Sequence, residues 1–140
     1  MESMTWTCPE CRRRFGRTRQ SHECAPALDL PAYFATADTR EQPIYQAVHD
    51  HLSSLGEVLV EPVVVGIFLK RDRSFVELRP MTRWVALSWP MRRRIDHPRI
   101  SRKPIRSGQR WYHVVNLRDA AEVDDELRDW LTEAWHSLPP

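Results

Sequence analysis

Glycine is scarce: four in 140 residues, with no cluster that could wrap a phosphate. That removes the phosphate-loop and dinucleotide-fingerprint enzymes, whose turns need closely spaced glycines. Lysine is scarcer still, two against nineteen arginines. A lone arginine is therefore a weak signal, and only clustering informs. The longest apolar stretch, "VLVEPVVVGIFL", is broken by Glu61 and Pro62. It falls short of the roughly 20 residues a membrane helix needs, so no membrane partner is expected. Met1 to Thr7 shows no basic segment followed by an apolar run, so no secretory leader is expected. The three cysteines all lie between residues 8 and 24, which suits a reduced, cytoplasmic protein and not a disulfide framework. No paired carboxylates and no nucleophile beside a partner stand out.

What is present is charge in blocks. Residues 25–69 and 111–140 are net acidic, whereas 70–110 is strongly basic. Such asymmetry predicts either one basic face or pairing between blocks. Residues 26–42 read as a linker, with Tyr33 and Phe34 docking on the main domain. From residue 43 to 138 the pattern turns regular. Ile44, Val48, Leu52 and Leu55 recur at helical spacing, Pro43 suits a first turn and Gly56 a stop. "EVLVEP", "VVVGIFLK", "FVELRP", "RWVALSW" and "RWYHVVNL" read as strands, with a basic loop over about 90–109. Their short connections predict antiparallel neighbours. Asp119 with Glu122 predicts the start of a last helix whose apolar stripe includes Val123, Leu127, Trp130 and Leu131, with Trp135 at its margin. The expected class is α+β: an antiparallel sheet of about five strands with two flanking helices, preceded by a small zinc knuckle.

That knuckle is residues 1–25. "CPECRRRFGRTRQSHEC" spaces Cys8, Cys11, His22 and Cys24 as C-x2-C-x10-H-x-C. Thiolates and an imidazole are the preferred ligands of a structural Zn2+. The segment has only Trp6 and Phe15 as large apolar groups, too few to fold unaided. Metal supplies the staple, with apparent binding of about 10–16 kcal/mol in finger peptides. A redox dithiol is disfavoured, since such a pair normally opens a helix after a strand in a βαβ fold and nothing before Thr5 could be that strand. His22 and Cys24 are two apart, about 200° around an ideal helix, so the second pair sits on a turn. A long recognition helix is not expected. Arg12, Arg13, Arg14 and Arg17 are candidates for phosphate contact without base reading.

"GEVLVEPVVVGIFLKRDRSFVELRP", "HPRI" and "WYHVVNLRDAAEVDDELRDWLTEAW" resemble domain of unknown function 5655. Some bacterial members carry a similar amino-terminal "CPxC…F…QSHxC" finger. The resemblance implies a compact α+β domain, sometimes beside nuclease-like modules, and no established reaction. Val63 to Gly66 stands where a polar pair often follows the "EP", and Val114 where a second histidine often follows the one matching His113. A site built on those family residues is not expected here.

Three functions remain. "RRRIDHPRISRKPIRSGQR" supplies Arg92, Arg93, Arg94, Arg99, Arg102, Lys103, Arg106 and Arg110 with one acid, Asp96. So dense a block needs negative charge nearby. The candidates are the acidic side of the last helix and an external anion such as nucleic acid. The leading expectation is a zinc-binding accessory or adaptor module with a basic surface that binds an anionic partner, nucleic acid foremost. A third possibility is a protein-interaction module in which the finger is only a handle, which predicts an exposed apolar patch and no pocket. The alternative is a phosphate-ester hydrolase or transferase using His97 and His113 beside the basic loop, because imidazole titrates near neutrality and cations stabilise developing charge. Against it, His113 alternates with Trp111, Val115 and Leu117 and so faces the core, and His97 precedes Pro98.

Overall fold

The structure, a computed structural model, describes residues 6–10, 14–16, 19 and 29–139. Near the amino-terminal end, β1 (Trp6–Thr7) pairs antiparallel with β2 (Arg14–Phe15). The rest is α1 (Leu30–Ala35), α2 (Glu41–Leu55), β3 (Leu59–Val63), β4 (Gly66–Lys70), β5 (Ser74–Pro80), β6 (Val85–Met91), β7 (Ile105–Ser107), β8 (Arg110–Leu117), a 3-10 turn (Ala120–Glu122) and α3 (Asp125–Ser137). The strands β3 to β8 form one sheet, ordered β3-β4-β5-β6-β8-β7, with every neighbouring pair antiparallel. The α+β class and the antiparallel sheet are as expected. Among the described residues the main sheet has six strands, in line with the expected five or so, and three α-helices are present where two were expected. Among the described residues, no helix is long and apolar enough to cross a membrane.

Strand alternation builds the core. The register aligns Ile67, Leu78, Leu87 and Val115 in one row across β4, β5, β6 and β8, and each is at most 3% exposed. Ile44, Val48 and Leu52 recur every four residues on α2, and Leu127, Leu131 and Ala134 at steps of four and three on α3. Both stripes join the same apolar cluster as that row, so the helices cover one face of the sheet. Burying each such leucine contributes about 1.5–3 kcal/mol.

The stretch read as a linker contains α1. Asp29 caps it by accepting from the Ala32 N–H at 2.8 Å. Tyr33 and Phe34 do pack on the core, Phe34 against Tyr45. Asp119 caps the 3-10 turn and not the last helix. Asp124 caps α3, accepting from the Leu127 N–H at 3.1 Å. Trp135 is buried, edge-on to Phe75, not marginal.

Two corrections concern strand limits. "VVVGIFLK" is not one strand, because Val63 pairs with Gly66 and leaves Val64 and Val65 as an exposed turn. A Cβ on Gly66 would lie 2.4 Å from the Leu78 carbonyl oxygen, so β4 approaches β5 too closely for any other residue. The segment 90–109 is not all loop. β6 continues through Pro90 to Met91, and β7 pairs with β8. Pro90 is tolerated because the ladder to β5 ends at Ser88, so that position lacks a β5 partner.

Candidate anion-binding face

The basic segment is anchored first by a histidine. The Ile95 N–H donates to His113 Nε2 at 2.9 Å, and His113 is fully buried on β8. Burial pushes this imidazole below its ordinary pKa; nearby Arg93 and Arg94 add to the effect, and a backbone contact with Trp111 offsets part of it. The chain then turns through His97, whose Nδ1 accepts from the Arg99 N–H at 3.0 Å. His97 Nε2 lies 3.2 Å from a Glu126 carboxylate oxygen.

Some of the cations pair internally. Arg93 donates twice to Glu133, at 2.8 and 2.9 Å. Those bonds hold the Glu133 carboxyl below its usual pKa. Arg99 reaches Asp124 at 2.7 Å, Glu126 at 3.4 Å and the Glu122 carbonyl. Burial alone would raise Asp124, but Arg99 and the Leu127 N–H win and hold it low. Both partnerships lead to α3 and the turn before it, so the acidic helix neutralises part of the basic segment.

The other six cations of the segment do not reach a carboxylate among the described residues. Arg92 bonds Gln109 at 3.3 Å, Arg106 the Gly108 carbonyl at 3.0 Å and Arg110 the Pro139 carbonyl at 3.3 Å. Arg94 and Arg106 lie over Trp111, 6.0 and 5.7 Å from its ring centre. Arg102 and Lys103 line a pocket of about 180 Å³ together with Arg94, Asp96 and His97. Arg92 and Arg110 instead line a cleft of about 540 Å³ with Arg73, Ser74, Ser107, Gln109 and Tyr112. The β4–β5 turn, the end of β6 and the β7–β8 turn bound this cleft. Arg71 fixes its far wall, donating to the Trp135 and Leu138 carbonyls at 2.9 and 3.1 Å while lying over the Trp135 ring.

The two candidate catalytic histidines do not meet. His113 stacks on Trp89, Trp89 on Trp130, and Trp130 meets His97 edge-on, with centroid steps of 5.5, 5.8 and 5.1 Å. Two indoles therefore separate the imidazoles. His113 has no exposed surface from which to exchange a proton with a substrate.

Of the expected metal ligands, Cys8 is buried beside Trp6 and follows β1 directly. Cys11, His22 and Cys24 lie outside the described residues, as do Arg12, Arg13 and Arg17; Arg14 is described only as backbone in β2. Within the described residues, Cys8 follows the first strand of an antiparallel pair, a position compatible with a ligand of a small metal knuckle. Gly16, just after that hairpin, lies against the β4–β5 turn; a Cβ there would stand 3.0 Å from the Asp72 carbonyl oxygen and 3.4 Å from Arg73 Cγ.

Arg73 and Tyr112 escaped the sequence reading. Arg73 sits in a turn remote from the basic segment. Tyr112 had a visible signal: the alternation that turns His113 inward turns its neighbour outward.

Residues 31–137 match the family described as Domain of unknown function (DUF5655). No curated protein and no solved structure matches the chain.

Proposed function

The chain belongs to the DUF5655 family, and from that premise and its own surface we propose that it is an accessory module that binds nucleic acid through a basic face. A zinc-stapled finger stands at its amino-terminal end. One observation carries the reading. Arg92, Arg94, Arg102, Lys103, Arg106 and Arg110 project from one segment with no carboxylate partner among the described residues, although an acidic helix packs alongside and takes Arg93 and Arg99. Unneutralised cations at this density cost self-repulsion, which a phosphate backbone relieves. The finger supports the same reading, since Gly16 brings its hairpin against the turn that carries Arg73. The cysteine-poor main domain and the thiol-rich finger suit a reducing, cytoplasmic setting.

The phosphate-ester enzyme is the weaker reading, because its two histidines occupy separate environments and one is sealed in the core. The test is fluorescence anisotropy with a labelled oligonucleotide across a salt series. Six contacts to a single strand predict a slope of log K on log[salt] near about −4. The double variant Arg102→Ala/Lys103→Ala should reduce that slope by about 1–2. Absence of binding at low salt overturns the proposal.

A further inference from the structure

We infer that the cleft between the β4–β5 turn, the end of β6 and the β7–β8 turn holds one unpaired nucleotide of a single strand, its base on Tyr112 and its phosphate among Arg73, Arg92 and Arg110. This deepens the basic-face reading and rests on it. Three guanidiniums from three separate elements converge on the cleft, and among the described residues no carboxylate lines it. Tyr112 is 38% exposed, enough to offer part of a ring face. Ser74, Ser107 and Gln109 supply hydrogen-bonding groups beside it. At the lip, Gly108 has φ +61°, and a Cβ there would meet nothing within 4 Å, so a ligand can approach that backbone closely. The volume, about 540 Å³, falls in the range of small-molecule sites.

Two features select a single strand over a duplex. A ring in a cleft stacks only on a base freed from its own stack. The long helices are also ill suited to a groove. On α3, Asp125, Glu126, Asp129 and Glu133 are exposed; Arg93, Arg99 and Arg128 offset part of that charge, and the remainder disfavours close approach of phosphates. The strand has a path onward. Arg92 lines the cleft; two residues on, Arg94 lies over Trp111 and lines the pocket of Arg102 and Lys103. The guanidiniums would position the backbone and the tyrosine would grip the base, with no readout of sequence.

The test compares an oligothymidylate with a strand of equal length whose internal residues are abasic, using the full chain. Phosphates are the same in both, so the ratio of affinities isolates stacking. We expect the base-bearing strand to bind roughly 5- to 150-fold more tightly, the span measured for base–aromatic stacking. The ratio should collapse toward one in Tyr112→Leu and persist in Tyr112→Trp. A ratio of one in the wild type, or one that survives Tyr112→Leu, overturns the subsite while leaving the basic face intact. No binding of either strand or of free thymidine monophosphate overturns both. Tyr112-dependent binding of free thymidine monophosphate without binding of any strand keeps the pocket chemistry and overturns the strand assignment.

Discussion

The Ile95 N–H donates to Nε2 of His113 across 2.9 Å, inside the core. Because Nε2 accepts, the neutral imidazole carries its proton on Nδ1. The first turn of the basic segment is thus tied to a group that must stay unprotonated. Protonating Nε2 would remove the acceptor and place a cation beside Trp89 and near Arg93 and Arg94.

A pH dependence of stability follows. His113 has a lowered native pKa, chiefly from burial, and so has His51, whose Nε2 lies 2.9 Å from Thr132 Oγ1. In the unfolded chain both titrate near about 6.5. Below that value the unfolded state binds protons that the native state refuses, so stability is full above it. It falls as pH drops toward the lowered native values and levels off beneath them. Each histidine contributes a slope of at most about 1.4 kcal/mol per pH unit. Urea unfolding between pH 7.5 and 5 should show this decline, and His113→Gln should make it shallower. Equal slopes in the two proteins would refute the assignment.

Arg93 and Arg99 both bind acids on or just before α3, yet they should differ in worth. The Arg93–Glu133 pair is well exposed on both sides, at 56% and 42%, and exposed pairs contribute about 0.2–1 kcal/mol. Arg99 is 19% exposed and serves Asp124, Glu126 and the Glu122 carbonyl. Asp124 is also the cap of α3. Arg99→Ala should therefore cost about 1.5–3 kcal/mol, the range for hydrogen bonds to charged groups. Arg93→Ala should cost under about 1 kcal/mol. Comparing the two urea midpoints decides it; equal losses would mean that Arg99 is not the clasp between loop and helix.

Local periodicity made most of the scaffold legible. Ile44, Val48 and Leu52 announced α2, and the alternation around His113 placed it inward. Sequence failed where a partner strand or a missing one decides the outcome. Val64 and Val65 look like strand residues, but the pairing of Val63 with Gly66 across β3 and β4 leaves them as the turn between the two strands. Pro90 looks like a stop, but it lies beyond the β5 ladder. The three short residues of β7 gain their strand character only from β8. The basic surface was visible as composition. Its division was not, because only the approach of α3 separates paired Arg93 and Arg99 from Arg92, Arg94, Arg102, Lys103, Arg106 and Arg110. Arg73 joins the cleft through topology alone.

The proposed zinc finger offers the last test. Cys8 is buried with Trp6 at the edge of a hairpin whose strands are two residues each. So small a unit has little apolar area to offset the entropy of ordering it. If Cys8, Cys11, His22 and Cys24 enclose Zn2+, protein purified without added metal should carry about one equivalent by elemental analysis, as a closed four-ligand site retains its ion. Cys8→Ser should lower the content well below that. Chelation should release the hairpin from the β4–β5 turn, seen as protease cleavage within residues 6–28, while the domain beyond keeps its melting transition. That domain has its own apolar core in α2, α3 and the sheet, so its stability does not draw on the metal. Under half an equivalent of metal, with cleavage unchanged by chelator, would mean that something other than an ion holds the hairpin in place.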